Sequence, residues 1–184
     1  MHLEESVVTR ALIIVDVQKD FCEGGALPVA GGNAVAEAIA AHVAATHYDL
    51  VLATRDWHVA PGAHFSAEPD FVDSWPPHGI AGSPGAQLHP SIAALGLETY
   101  DKGAYEAAYS GFEAPGLPDR LRGAEVDDIT VCGLATDYCV RKTAIDASRA
   151  GYRTHVIESL CAGVAPGSTQ AALQQMRDHG IMIG

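Results

Sequence analysis

The sequence predicts an α/β protein in which a mostly parallel central sheet has helices on both faces, a three-layer α/β/α architecture. Two observations support this class. Short apolar runs rich in β-branched residues, such as ALIIVD at 11–16, have the near-continuous hydrophobicity of strands buried on both sides. These runs alternate with segments of helical periodicity, and such alternation is typical of a parallel sheet.

The predicted elements follow one another to the C-terminus. After strand 11–16, residues 31–47 form a helix, because Val35, Ile39 and Val43 recur on one face. The other predicted strands are 49–56, 97–102, 128–135 and 153–158, with an edge strand at 181–184, and the other predicted helices are about 138–149 and 168–179.

One long segment has no predicted element. Residues 57–90 are rich in Pro, Gly and His and are too numerous for an ordinary connection, which indicates a functional loop.

Composition and charge restrict the class of protein. With 184 residues, nearly half of them hydrophobic, we expect a single domain over 1–184. The net charge of −12 argues against nucleic acid or an anionic membrane as partner. Residues 1–20 predict neither a signal peptide nor a membrane span. Four cysteines do not make a disulfide framework, so we expect reduced thiols in the cytoplasm. The oligomeric state stays open.

Reactive side chains stand at the ends of the predicted strands. Asp16 ends the first, Asp56 the second and Lys102 the third, and Cys139 follows the fourth. Sites in parallel α/β folds form beyond the carboxyl ends of the strands. The sequence therefore predicts a site at this edge of the sheet.

The stretch VCGLATDYCV contains two cysteines for which we expect different roles. Cys132 lies inside an apolar strand and is predicted to be a small core residue. Cys139 is predicted in the first turn of the next helix, with Thr136 or Asp137 as N-cap, where a thiolate nucleophile is favoured.

Asp16 and Lys102 are candidate partners of the Cys139 thiol. A lysine near a thiol can lower its pKa, and an aspartate can take the thiol proton and deliver it to a leaving amine. Each residue alone is compatible with an ordinary ion pair, but the three strand ends together indicate an Asp/Lys/Cys catalytic set.

A second cluster of candidate residues lies in and just before the long loop. One carboxylate and several imidazoles suit a divalent metal, with zinc, iron or manganese as the candidates. The predicted ligands are Asp56, His58, His64 and His78. Three aromatic residues in flanking loops, Phe21, Trp75 and Tyr109, would suit a flat, largely apolar ligand if they line the cleft.

Five segments, in order, resemble the nicotinamidase/pyrazinamidase family, in the cysteine-hydrolase branch of the isochorismatase-like superfamily. The resemblance covers about residue 11 to the C-terminus. Its segments are VDVQKDFCEGGALPVAGG, TRDWHVAPGAHFS, WPPHGIAGSPGAQLHP, KGAYEAAYSGFE and VCGLATDYCVRKTAIDA.

The resemblance implies an isochorismatase-like, Rossmann-like hydrolase fold and a role in NAD salvage. It implies a catalytic triad of Asp16, Lys102 and Cys139. It also implies that Phe21 and Trp75 enclose the substrate ring, and that the metal, often zinc, holds the ring nitrogen directly or through water. The implied metal ligands are Asp56, His58, His64 and His78, of which His64 is the most variable position.

The resemblance further implies a cis peptide before Ala135. The amides of Ala135 and Cys139 would then form an oxyanion hole.

Three other functions compete with this hypothesis. A vinyl-ether hydrolase of the isochorismatase type shares the fold but uses no cysteine nucleophile. Another carboxamide or carbamoyl hydrolase would keep the triad, but the metal set and the aromatic pair favour a nicotinamide-like substrate. A non-catalytic metal-binding or redox protein would bind metal without turnover and would have no use for Lys102.

Overall fold

A computed structural model describes residues 8–184 of the chain. The first seven residues, part of the segment predicted to hold neither a signal peptide nor a span, lie outside the described range. The strands are β1 Arg10–Val15, β2 Leu50–Asp56, β3 Glu98–Lys102, β4 Asp128–Leu134, β5 Arg153–Ala162 and β6 Met182–Ile183. They form one sheet in the order β3-β2-β1-β4-β5-β6, and every neighbouring pair is parallel.

The helices cover both faces of this sheet. They are α1 Gly32–Ala45, α2 Pro90–Ala93, α3 Leu117–Gly123, α4 Arg141–Arg149 and α5 Pro166–Asp178. Leu12 and Ile14 of β1 pack in the core on the side of α1 and α2, whereas Ile13 and Val15 pack in the core beneath α3, α4 and α5. Burial on both faces explains why β1 is continuously apolar. The predicted three-layer α/β/α fold is confirmed.

The predicted elements are present, with shifted bounds. The edge strand is β6, which pairs with β5 in parallel. β5 runs four residues beyond its predicted end at 158, past a register shift in its pairing with β4. α2 and α3 were not predicted, because one is a single turn and the other shows only Leu117 and Leu121 as an apolar face. Within 8–184, no helix has both the length and the apolar composition to cross a bilayer.

The segment that contains Cys139 departs from the predicted helix. Thr136–Val140 forms a π-helical turn, which leads into α4. The Leu134–Ala135 peptide is cis, as the family resemblance implied. The expected N-cap is wrong: Ala135 occupies that position, and neither Thr136 nor Asp137 caps the turn with its side chain.

Candidate active site

Asp16 and Asp56 meet at the carboxyl edge of the sheet because β1 and β2 are neighbours. Asp16 directly follows β1 and has a left-handed backbone with φ of +50°, a region that aspartate tolerates better than most residues. Its amide donates to the Thr54 carbonyl at 3.1 Å, and its Oδ1 accepts from Thr54 Oγ1 at 2.7 Å. These two contacts fix the direction of a fully buried carboxylate.

Lys102 links the groups at this edge. Its Nζ lies 2.8 Å from Asp16 Oδ2, donates to Asp56 Oδ1 and donates to the Ala108 carbonyl at 2.8 Å. The same nitrogen lies 3.8 Å from Cys139 Sγ. The structure therefore brings Asp16, Lys102 and Cys139 together and joins them to Asp56.

Burial and the neighbouring charges together decide the protonation of these groups. It raises the pKa of Asp16, and the Lys102 ammonium offsets part of the rise. Burial alone would lower the pKa of Lys102, but the Asp16 and Asp56 carboxylates raise it well above its ordinary value. Burial also raises the pKa of the Cys139 thiol well above its ordinary value, while Lys102 lowers it.

The expected direction of the Lys102 effect on Cys139 is thus correct, but burial outweighs it. Cys139 is a thiol at neutral pH, not the thiolate that its place in the first turn suggested. Lys102 Nζ lies 2.8 Å from Asp16 Oδ2 and 3.8 Å from Cys139 Sγ, so one ammonium group holds the thiol and a possible proton acceptor close together.

The other cysteine of the stretch has no such partner. Cys132 is fully buried in β4, in the core on the side of α1, and that burial raises its pKa well above the ordinary value. The prediction of a core residue is confirmed. Cys22 and Cys161 are also free thiols, with pKa values raised to about 11 and about 12, chiefly by burial.

The three predicted histidines form one compact cluster. His58, His64 and His78 are each buried, and one nitrogen from each lies within 4.8 Å of the others. Asp56 Oδ2 lies 3.5 Å from His58 Nε2 and 3.7 Å from His78 Nε2.

Backbone carbonyls orient two of these rings. His58 Nδ1 contacts the Gly103 carbonyl at 2.5 Å, and His78 Nδ1 contacts the Pro76 carbonyl at 2.8 Å. Since a carbonyl only accepts, both Nδ1 atoms carry the proton, and each Nε2 keeps its lone pair for a ligand. Gly103 is required at its position, because a Cβ there would lie 2.7 Å from His58 Cε1 and its φ is +75°.

The cluster fits a divalent metal ion. His58 Nε2 and His64 Nδ1 are buried without a hydrogen-bond partner among the described residues, which is costly unless a ligand binds there. Burial lowers the pKa of His64 to about 4, so its imidazole is neutral at pH 7. Neutral imidazoles beside a carboxylate are suitable ligands for such an ion.

A cavity of about 380 Å³ is lined by Cys139 and by two of the three histidines, His64 and His78. The three predicted aromatic residues, Phe21, Trp75 and Tyr109, all line it, and Trp75 Nε1 donates to Tyr109 Oη at 3.1 Å. Ala135 also lines it, beside Cys139. The cavity is mainly apolar with polar groups at its base, an arrangement that suits a flat heteroaromatic ligand.

Other cavity residues were not predicted. Tyr138 packs edge to face on Trp75 with ring centroids 5.1 Å apart, and Phe71 lies at the mouth with a φ of +58°. Val164 comes from the segment before α5. Tyr138 could have been found, since it precedes Cys139, whereas no sequence pattern connects Phe71 or Val164 with the site.

The fold and the site agree with a known family. A family model described as the isochorismatase domain matches residues 10–183, and the chain belongs to this family. Among its relatives, the nicotinamidase/pyrazinamidase of Mycobacterium tuberculosis is 53% identical over 181 residues, which cover 95% of this chain and 97% of that protein.

Two solved structures have the same fold. The pyrazinamidase of Pyrococcus horikoshii in complex with zinc has a TM-score of 0.81 and 35% identity, covering 95% of this chain and 98% of that one. PnC1 from L. infantum in complex with nicotinate has a TM-score of 0.85 and 32% identity, covering 96% and 92%.

Proposed function

We propose that this chain is a nicotinamidase, which hydrolyses nicotinamide to nicotinate and ammonia through a thioester on Cys139, with pyrazinamide as a second substrate. The observation that carries the proposal is a cavity lined both by Cys139, which belongs to the cluster with Asp16 and Lys102, and by two imidazoles of the histidine cluster, His64 and His78. The nicotinamidase/pyrazinamidase name of the 53% identical relative supports it. The product would supply pyridine nucleotide salvage, and so NAD synthesis.

The substrate ring would lie between Phe21 and Trp75, with its carboxamide directed at Cys139. Both aromatic side chains are nearly buried and line the same cavity, so a flat ring replaces little water there. Tyr109 supports this arrangement by accepting from the Trp75 indole.

Asp56, His58, His64 and His78 would hold one divalent metal, zinc in the first place, with iron or manganese as alternatives. The zinc complex of the Pyrococcus horikoshii pyrazinamidase supports zinc. When bound, the ion would supply a Lewis-acidic contact for the ring nitrogen of the substrate.

Acylation would begin with proton transfer from Cys139 to Asp16. The sulfur attacks the carboxamide carbon while Lys102 stabilises the negative charge that passes between the thiol and the carboxylate. The Ala135 and Cys139 amides would donate to the developing oxyanion. The C–N bond then breaks, Asp16 returns its proton to the leaving nitrogen, and ammonia departs from the thioester.

Deacylation would use the same carboxylate. Asp16 takes a proton from a water molecule while the oxygen of that water attacks the thioester carbon, and the C–S bond then breaks. The proton on Asp16 returns to the Cys139 sulfur, and the nicotinic acid released loses its own proton. The enzyme is then restored with one water consumed.

We propose a cytoplasmic location with small molecules as the partners. All four cysteines are free, which suits a reducing compartment.

The deciding experiment measures ammonia and nicotinate released by metal-loaded protein. Nicotinamide and pyrazinamide should both be hydrolysed. Benzamide, which has the same shape without the ring nitrogen, should be at least about 100-fold poorer in kcat/KM. No release from nicotinamide would overturn the proposal, and equal hydrolysis of benzamide would favour a less selective carboxamide hydrolase.

A further inference from the structure

A buried carboxylate beside the nucleophile has no part in the reaction just described. Asp137 belongs to the Thr136–Val140 turn and is 3% exposed. Within residues 8–184, no lysine, arginine or histidine lies within ion-pair distance of it. A buried carboxylate without a cation needs several hydrogen-bond donors to remain favourable.

Those donors come from one segment that is distant in sequence. The Val164 amide donates to Asp137 Oδ1 at 2.9 Å, the Ala165 amide donates to Oδ2 at 3.3 Å, and the Ser168 hydroxyl donates to Oδ2 at 2.5 Å. The three donors lie on the approach to α5 and in its first turn, where free amides and the helix dipole favour a negative charge.

Both partners of this connection contribute to the cavity. The turn supplies Tyr138 and Cys139, and the segment supplies Val164. Val164 is 52% exposed and therefore has little packing of its own to hold it. The backbone just before Val164 leaves no room for a side chain, since a Cβ at Gly163 would lie 1.8 Å from Thr169 Oγ1.

We propose that Asp137 is a positioning residue for Cys139, which ties the turn to the segment before α5 and so fixes the thiol relative to the substrate carbonyl. The proposal rests on the proposed function, because that assigns the nucleophile. Asp137 touches neither substrate nor reacting atoms and acts only through the backbone of the turn. Because the reacting sulfur must lie close to the carbonyl carbon, a small displacement has a large effect on the rate.

The test compares Asp137→Ala, Asp137→Asn and the control Asp146→Ala in the metal-loaded enzyme. Asp146 is a carboxylate in α4 that faces Arg149 and does not contact the segment. Asp137→Ala should lower kcat by on the order of 100-fold, with KM and metal content within about threefold of wild type. Asn retains an oxygen that can accept from Val164, so the kcat of Asp137→Asn should be about tenfold higher than that of Asp137→Ala.

A second readout does not depend on turnover. Pyridine-3-carbaldehyde, the aldehyde analogue of the substrate, forms a hemithioacetal, in which the sulfur bonds to the carbonyl carbon and the thiol proton passes to its oxygen. Asp137→Ala should lower the affinity for the aldehyde by on the order of 100-fold. The affinity for nicotinate should stay within about threefold of wild type, because only the aldehyde bonds to the sulfur. Asp146→Ala should change neither.

Two results would overturn the proposal. One is Asp137→Ala with kcat and aldehyde affinity within threefold of wild type. The other is an equal loss of aldehyde and nicotinate affinity, which indicates general damage. Should Asp137→Ala fail to fold, the kcat of Asp137→Asn and its ratio of aldehyde to nicotinate affinity decide, and wild-type values for both overturn it.

Failure of the proposed function would look different. In that case wild type releases no ammonia, or Cys139→Ala retains turnover. The dependence of aldehyde binding on Asp137 would remain measurable.

Discussion

Two side-chain clusters meet at the cavity and are built in different ways. Asp16, Lys102 and Cys139 form the proton-transfer wall, and His58, His64 and His78 form the ligand-holding wall. In the first, Asp16 and Lys102 stand at the ends of β1 and β3, which both pair with β2, and the sheet register fixes their separation. In the second, His64 and His78 belong to an irregular loop and are held by local backbone contacts, such as the one from His78 to the Pro76 carbonyl. The positions of the proton-transfer side chains are therefore determined by the sheet, whereas those of the ligand-holding side chains depend mainly on the loop.

A single side chain joins these walls. Asp56 ends β2, accepts from Lys102 through Oδ1, and lies near two imidazoles through Oδ2. Removing a group other than Asp56 from one wall should impair that wall's task and leave the task of the other largely intact, because Asp56 still holds both sides.

The largest separation of the two tasks is expected from Asp16→Asn. Asparagine tolerates the left-handed backbone but cannot accept the thiol proton, so kcat should fall by about 1000-fold. Metal content should stay at the wild-type level. Steady-state kinetics and metal analysis check both parts, with Asp101→Asn, a partly exposed partner of Arg55 on β3, as control. Loss of metal in parallel with activity would mean that the walls are not independent.

The converse change is His58→Ala. It removes one imidazole of the cluster, so metal affinity should fall by on the order of 100-fold, and activity with it. Hemithioacetal formation between pyridine-3-carbaldehyde and Cys139 should remain detectable at raised aldehyde concentration, because the proton-transfer wall is unchanged. Titration with zinc tests the affinity. The matched control is His47→Ala, a highly exposed histidine, and equal zinc binding by both variants would contradict a metal role for the cluster.

The Gln18 side chain holds the backbone of Asp56, the residue that joins the two walls. Its amide accepts from Asp56 N at 2.8 Å and donates to the carbonyls of Asp56 and Ala86, each at 2.9 Å. Gln18→Glu would turn an oxygen toward those two carbonyls in a fully buried position. The free energy of unfolding should fall by about 2 kcal/mol.

Urea denaturation measures this change. Gln170→Glu, at an exposed position near the N-terminal end of α5, should stay within about 0.5 kcal/mol of wild type. Equal stability of the two variants would show that Gln18 does not support Asp56.

The smallest effect is expected at Phe71, an exposed residue that lines the cavity. Phe71 lines the cavity and packs edge to face on Trp75 with ring centroids 6.0 Å apart, so Phe71→Ala should raise KM about fivefold with little change in kcat. Val72 is similarly exposed but does not line the cavity, and Val72→Ala should leave KM unchanged. A similar rise in both variants would point to the loop as a whole rather than to Phe71.

The same contrast explains how much could be predicted from the sequence. Strands at 11–16, 49–56 and 97–102 together with the strand-end rule were enough to bring Asp16, Asp56 and Lys102 to one edge. The prediction of Asp137 as N-cap is wrong because its carboxylate accepts hydrogen bonds from Val164, Ala165 and Ser168 instead. No local pattern indicates a contact 27 residues away.

The protonation of Cys139 could not be predicted for a related reason. A thiol in the first turn beside a lysine suggests a thiolate, but burial by residues from several elements decides the balance. That burial depends on the assembled tertiary structure rather than on the neighbours of Cys139 in the chain.

We propose that Cys139, and not Cys132 in the same stretch, is the nucleophile. The most direct measurement is ammonia release from nicotinamide by metal-loaded wild type, Cys139→Ala and Cys132→Ala, each corrected for folded protein. Wild type and Cys132→Ala should turn over at rates within about tenfold, since a buried cysteine replaced by alanine costs packing but no chemistry. Cys139→Ala should release no ammonia above background, and turnover by this variant at the wild-type rate would contradict the account.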